Sequence, residues 1–116
     1  MTLVAAMPAL AKDPQWLTGA YGNAAGCAFH NGGTRDDESM LLLTAGKFET
    51  YATLCEFLAI NKAAGAVLAT ALCGHEGDDV LTAELVIIRD ATQPDQDRKR
   101  VTGAQGNQWG EVAPCR

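Results

Sequence analysis

Short apolar segments recur along the chain, separated by stretches rich in glycine, asparagine and aspartate. Their spacing is roughly a dozen residues, which is typical of short strands joined by turns. The pattern predicts strands at 16–21, 27–29, 40–43, 66–72 and 80–88, with a last segment holding Trp109 and Val112. We therefore expect a mainly β fold, either a small antiparallel barrel or a sandwich.

The segment 80–88 has the clearest strand pattern in the chain. Its odd-numbered positions from 81 to 87 are all apolar, while Thr82 and Glu84 mark the opposite face. Since side chains alternate between the two faces of a strand, this pattern predicts an apolar face and a polar face.

The segment 48–62 fits two different structures. Alternation from Phe48 to Leu54 is typical of a strand, but Phe48, Tyr51, Leu54, Cys55 and Leu58 also share one face of a helix. We favour strands because they suit the spacing of the neighbouring cysteines. The alternative is an α+β fold with a helix at about 48–62.

The four cysteines are Cys27, Cys55, Cys73 and Cys115. None of them forms a C-x-x-C pair, so neither a zinc site nor a thioredoxin-like redox motif is indicated. An even number at wide spacing predicts two disulfides, although more than one connectivity is open. A hairpin centred on Ala64 would place Cys55 opposite Cys73. We therefore predict the bridges Cys55–Cys73 and Cys27–Cys115.

Residues 1–11 are apolar and end in Ala9-Leu10-Ala11, the small-residue pattern of a signal-peptidase site. We interpret 1–11 as the remnant of a signal peptide and 12–116 as a single globular domain. The alternative is an ordinary N-terminal segment or short helix, because the basic stretch that opens a signal peptide is missing. Together with the predicted disulfides, the pattern favours a periplasmic or secreted protein.

Composition excludes several classes of function. Hydrophobic residues at 47% and charged residues at 20% are typical of a folded domain and not of a disordered chain. The net charge of −5, from 14 acidic and 9 basic residues, argues against a nucleic-acid binder. No run of about 20 apolar residues is present, so we expect no membrane span.

The order Trp16-x-x-Gly19-x-Tyr21, the four cysteines and Glu76-Gly77 after the third cysteine carry a resemblance. The pattern is similar to small uncharacterised exported proteins of Gram-negative bacteria with four cysteines and a compact β fold. It also faintly resembles the secreted protease-inhibitor barrels, which open with a tryptophan-containing strand followed by a cysteine. The present chain departs from those inhibitors by having four cysteines in place of one bridge. The resemblance implies an exported β domain and assigns no functional residue.

The sequence contains no recognisable catalytic constellation. Ser39 is the only serine, and no Gly-x-Ser-x-Gly motif is present. His75 and Glu76 are adjacent and would point to opposite faces of a strand, so they are not expected to act together. A metal site would need His30, His75, Glu76 and Asp78 to converge from two loops. We therefore assign no catalytic residue, no metal ligand and no cofactor, and expect a protein that is not an enzyme.

The leading hypothesis is an exported, non-catalytic binding module, such as an inhibitor or immunity-type partner of another secreted protein. The candidate contact residues are Asp36, Asp37 and Glu38 with Asp78 and Asp79, provided that the two acidic loops share one end of the fold. Their charge favours a basic partner protein. The first alternative is a small-ligand carrier with a lipocalin-like cavity. A hydrolase or metal-dependent enzyme is the least supported.

Overall fold

In the part of the chain that the structure describes, eight antiparallel strands follow one another around a closed barrel. The computed structural model describes residues 15–91, 97–106 and 108–116, so the segment 1–11 lies outside the described residues. The elements are β1 (Tyr21–Gly22), α1 (Ala24–His30), β2 (Leu41–Leu43), β3 (Lys47–Thr50), β4 (Thr53–Ala63), β5 (Ala66–His75), β6 (Thr82–Asp90), β7 (Lys99–Gly103) and β8 (Gln108–Pro114). Pairing of β1 with both β2 and β8 closes the barrel. The prediction of a mainly β fold is confirmed, and of the two predicted architectures the structure has the antiparallel barrel and not the sandwich.

The segment 48–62 forms strands, and the alternative of a helix there is wrong. Phe48 of β3 lies opposite Cys55 of β4, and both side chains are fully buried inside the barrel. A turn at Tyr51 and Ala52 separates the two strands, so the helical spacing in the sequence spans two elements. The apolar residues that appeared to share a helix face are instead divided between the inside and the outside of the barrel.

The β4–β5 hairpin has the cysteine register that the sequence predicts. Cys55 pairs with Cys73, but beyond Phe57 the register shifts at a β-bulge, and Ala63 pairs with Ala66 at the tip. The extra residue of the bulge is Leu58, which points outward. The tip is thus a two-residue turn, Ala64–Gly65, in which both residues have positive φ, 52° and 76°. Such turns match the right-handed twist of the flanking strands.

Both predicted disulfides are confirmed. Cys55–Cys73 lies inside the barrel, with a Cα–Cα distance of 4.0 Å. Cys27–Cys115 joins α1 to the residue that follows β8, with a Cα–Cα distance of 5.2 Å across 88 positions of sequence. Two disulfides and no free cysteine indicate an oxidising, exported environment.

The predicted strand at 27–29 is wrong, because this segment belongs to α1. The Asn23 side chain caps the helix by accepting a hydrogen bond from the Gly26 amide at 2.8 Å. The same side-chain oxygen accepts the Leu41 amide at 3.0 Å, which fixes the helix against β2. A cap residue followed by two alanines and a glycine is compatible with a short helix, and the tertiary contact with β2 decides the outcome.

The predicted strand at 16–21 is shorter than expected, since β1 contains only Tyr21 and Gly22. The preceding residues cross one end of the barrel instead. Leu17 is buried there, and the Trp16 indole donates a hydrogen bond to the Ala45 carbonyl at 2.9 Å. The ring of Trp16 packs against Phe57 at a centroid distance of 6.2 Å, so this segment closes one end of the core.

Side chains from the inward faces of the strands fill the middle of the barrel. On β6 the buried residues are Val86 and Ile88, which share their face with Glu84, whereas Leu81 is exposed. The expected separation into an apolar face and a polar face is therefore wrong for this strand. Small residues on β5 explain the choice, because Val86 lies opposite Ala69 and has room to pack there.

No helix in the described part of the chain has the length and hydropathy of a membrane span.

Candidate functional site

The two predicted acidic loops lie at the same end of the barrel. In a barrel whose strands alternate in direction and follow sequence order, every second connection leaves from the same end. The connections β1–β2, β3–β4, β5–β6 and β7–β8 share that end, which we name the acidic end. Its connections carry one lysine or arginine, Arg35, and six carboxylates: Asp36, Asp37, Glu38, Glu76, Asp78 and Asp79.

Short hydrogen bonds order the first acidic loop. The Thr34 hydroxyl donates to Asp36 at 2.6 Å. Asp37 accepts two hydrogen bonds from Ser39, from the hydroxyl at 2.7 Å and from the amide at 2.8 Å. These bonds lower the pKa of the Asp37 carboxyl, with the hydroxyl making the larger contribution. Asp37 is therefore an ionised, exposed group at neutral pH.

Arg35 is engaged by β3 and by α1. Its guanidinium lies 3.4 Å from the Glu49 carboxylate, donates to the Thr50 carbonyl at 3.1 Å and sits over the Phe29 ring. Glu49 is buried and also pairs with Lys47. Because Arg35 is paired with Glu49, its charge does not neutralise the six carboxylates of the acidic end. The surface at this end is therefore predominantly negative.

Large apolar side chains are exposed at this same end. Val80 and Leu81, in the β5–β6 connection, are 70% and 58% exposed, and Tyr51, in the β3–β4 turn, is 38% exposed. The sequence pattern placed Val80 and Leu81 in a strand, so it did not predict their exposure. Exposed apolar residues rimmed by charged ones are characteristic of protein interaction surfaces.

A polar network lies inside the mouth of the barrel at the acidic end. Nδ1 of His75 is 2.9 Å from the Thr53 hydroxyl, and its Nε2 is 2.5 Å from Oε2 of Glu84. The Thr82 hydroxyl donates to the same Oε2 at 2.5 Å. Burial opposes ionisation of Glu84, but the hydrogen bonds from Thr82 and His75 outweigh it and lower its pKa. Glu84 is thus a carboxylate at neutral pH.

The partner of His75 is Glu84 and not the adjacent Glu76, as expected for neighbours that point to opposite faces. Glu76 begins the β5–β6 turn, and its backbone amide donates to the Ala52 carbonyl at 2.7 Å. The sequence did not single out Glu84 or Thr53. One signal was available in the sequence. Glu84, Val86 and Ile88 are two residues apart and therefore share a face of β6, so burial of the two apolar residues also places the carboxylate on the inward face.

A cavity of about 490 Å³ opens at the acidic end, and we name it the mouth cavity. Its floor includes the Cys55 end of the interior disulfide and Val86. Its walls include Trp109, Gln105 and the pair His75–Glu84. The Trp109 ring is held by an edge contact with Phe48 at a centroid distance of 5.7 Å. The site combines one aromatic ring and other apolar surface with a carboxylate, an imidazole and an amide side chain.

A second cavity, of about 460 Å³, lies at the opposite end of the barrel. Trp16 and Leu17 line it together with Lys62 and Lys99. Between the two cavities the described interior is occupied by buried side chains, among them Phe48, Phe57, Val101 and the interior disulfide. The two cavities therefore do not merge into one central space.

Within the residues that the structure describes, no group of three or more histidine, cysteine or acidic side chains has the arrangement of a metal site. His30 is the last residue of α1. His75 is the last residue of β5 and is hydrogen-bonded to Thr53 and Glu84.

Comparison of the chain with known protein families, with curated proteins and with solved structures gives no match. The assignment of function therefore depends on the geometry of the acidic end.

Proposed function

We propose that the protein is an exported, non-catalytic binding module whose acidic end contacts a basic partner protein. An inhibitor or immunity-type partner of another secreted protein is the class that this description fits. The observation that carries the proposal is the topology, which gathers both acidic loops and the exposed Val80 and Leu81 at one end of a rigid barrel.

Two physical effects support a protein partner over a diffuse electrostatic contact. Carboxylates at one end attract a positively charged surface over long distances and accelerate association, especially at low salt. Exposed aliphatic side chains supply the area whose burial stabilises a complex once it has formed. Val80 and Leu81 lie directly after Asp78 and Asp79 in the chain, so both effects originate in the same loop.

The proposed location is the periplasm or the extracellular medium. Support comes from the two disulfides, which persist in oxidising compartments. The apolar segment that ends in Ala9-Leu10-Ala11 supports the same location, because it has the small-residue pattern of a signal-peptidase site.

The test compares the parent with a variant in which Asp36, Asp37, Glu38, Asp78 and Asp79 are replaced by asparagine or glutamine. Both proteins serve as bait for the envelope and secreted fractions of the cells that make the protein, and any captured partner is then purified. We expect the variant to associate with that partner at least about tenfold more slowly at low salt. Its association rate should also depend less on salt.

The control variant Glu56→Gln removes an exposed carboxylate from the outer wall of the barrel. The control should associate at the parental rate within about twofold. Equal association rates for the parent and the five-residue variant at low salt would show that the acidic loops are ordinary solvated turns, and the proposal would be wrong.

A further inference from the structure

The residues that line the mouth cavity suit an ammonium or guanidinium group carried on an aliphatic stem. Glu84 is the one acidic side chain among its lining residues, and Trp109 and Val86 contribute apolar surface beside it. A carboxylate that lies beside an indole ring and an aliphatic side chain, in a cavity that also has polar side chains, matches such a cationic group on its aliphatic stem. The cation pairs with the carboxylate, while the stem removes apolar surface from water.

The hydrogen bonds of Glu84 leave one of its oxygens available. His75 and Thr82 both bond to Oε2, and Oε1 has no partner among the described residues. The pKa of this carboxyl is lowered, so the charge is present at neutral pH. The two bonds to Oε2 also restrict the rotation of the carboxylate, so that less conformational freedom is lost when a cation binds to Oε1.

We propose that the mouth cavity receives a lysine or arginine side chain of the basic partner, which pairs with Oε1 of Glu84 beside Trp109. This assignment rests on the proposed function. It adds one specific contact to the long-range attraction that the acidic loops provide. A single anchor side chain in a central pocket, surrounded by a charged rim, is a common arrangement in protein interfaces.

The probe is Nα-acetyl-arginine N-methylamide, titrated into the intact protein and followed through the indole N–H resonances of the two tryptophans. Trp109 lines the mouth cavity, whereas Trp16 lies at the opposite end and serves as an internal control. We expect a saturable shift of the Trp109 resonance in the millimolar range, with Trp16 unchanged. The neutral citrulline analogue should bind at least about tenfold more weakly, because it lacks the charge that pairs with Glu84.

The matched variants are Glu84→Gln and Glu56→Gln. Glu84→Gln should weaken binding of the arginine derivative by about tenfold or more, and Glu56→Gln should leave it within about twofold, because Glu56 lies on the outer wall of the barrel and does not line the cavity. The comparison of the arginine and citrulline derivatives on the parent protein keeps the test valid even if Glu84→Gln does not fold. No shift of Trp109, or equal binding of the charged and neutral derivatives, would overturn the proposal.

Agmatine is a free small molecule with the same guanidinium group. Comparing it with the capped arginine shows whether the cavity prefers a free cation or a side chain of a protein. Binding of agmatine more than about tenfold tighter than the capped arginine would overturn the side-chain assignment. With a purified partner, slower association of the acidic-loop variant but unchanged affinity of Glu84→Gln would support the proposed function and overturn the pocket. Loss of affinity with Glu84→Gln supports the pocket.

Discussion

Gly26 is the residue at which α1 touches the barrel. A Cβ atom at this position would lie 1.8 Å from the Leu41 carbonyl oxygen, a backbone atom of β2 that cannot move aside. Asn23 stabilises the same contact, because its side-chain oxygen accepts hydrogen bonds from the amides of both Gly26 and Leu41. The absence of a side chain at Gly26 therefore determines how closely α1 approaches β2.

Gly26→Ala should destabilise the protein by about 2 kcal/mol or more, because the helix has to shift away from β2 to avoid the overlap. Urea unfolding of the oxidised protein measures the loss. Gly46→Ala is the control, since a Cβ there would meet nothing within 4 Å. Equal stabilities for the two variants would contradict the close contact between α1 and β2.

Tyr21 is the buried side chain whose ionisation the structure resists most clearly. Burial raises its pKa from 10.0 to about 12, with further contributions from the hydrogen bond to Asp97 and from the charges of Asp97 and Asp90. The hydroxyl donates that bond at 2.6 Å. Because the unfolded chain loses this proton near pH 10 and the folded protein keeps it, stability should fall as the pH rises from 10 to 12.

Tyr21→Phe should remove this part of the alkaline loss of stability, since phenylalanine has no proton to lose. Thermal unfolding of parent and variant between pH 8 and pH 12 provides the comparison, and tyrosinate absorbance of the parent should show a group titrating near pH 12. Parallel stability curves over this whole range would contradict the assignment.

At the scale of elements, α1 depends on contacts outside itself. Seven residues are too few to form a stable helix alone, so the Asn23 cap, the contact with β2 and the Cys27–Cys115 bridge hold it in place. The bridge closes a long loop, because its cysteines are 88 positions apart. In contrast, Cys55–Cys73 connects two strands that already pair along their length.

Replacing Cys27 and Cys115 by alanine should lower the free energy of unfolding by about 4–5 kcal/mol in the chain-entropy model. Amide hydrogen exchange should show the loss first in α1, whereas β4 and β5 stay protected because their pairing does not involve this bridge. Uniformly faster exchange across the barrel, with no preference for α1, would contradict this assignment of roles.

The features of the fold that could be predicted are those determined by residues close together in the sequence. The register of Cys55 with Cys73 follows from a hairpin whose turn residues lie in the sequence between them, and it is correct. That α1 is a helix and not a strand was not predictable in this way, because it depends on a tertiary contact. Gly26 has no side chain, and the backbone of β2 occupies the space that a side chain would fill. The inward position of Glu84 was also missed, since its strand has apolar residues on both faces and alternation alone does not say which face is buried.

Across the whole molecule, the excess of negative charge lies at the acidic end. Its connections carry six carboxylates and Arg35, a formal charge of −5 that equals the net charge of the chain. At the opposite end lysines and carboxylates lie together, and Lys99 pairs with Asp90. Under the proposed function, this charge would orient a basic partner before contact, and the exposed Val80 and Leu81 lie at the same end of the barrel.

The most direct test of this account is site-specific photo-crosslinking at the acidic end. A photoreactive residue placed at Leu81 is compared with one at Leu58, an exposed leucine on the wall of the barrel, in cells that make the protein. We predict a discrete crosslinked product with one protein from position 81, reduced at high salt, and no such product from position 58. The same products from both positions, or none from position 81, would contradict the claim that the acidic end binds a partner.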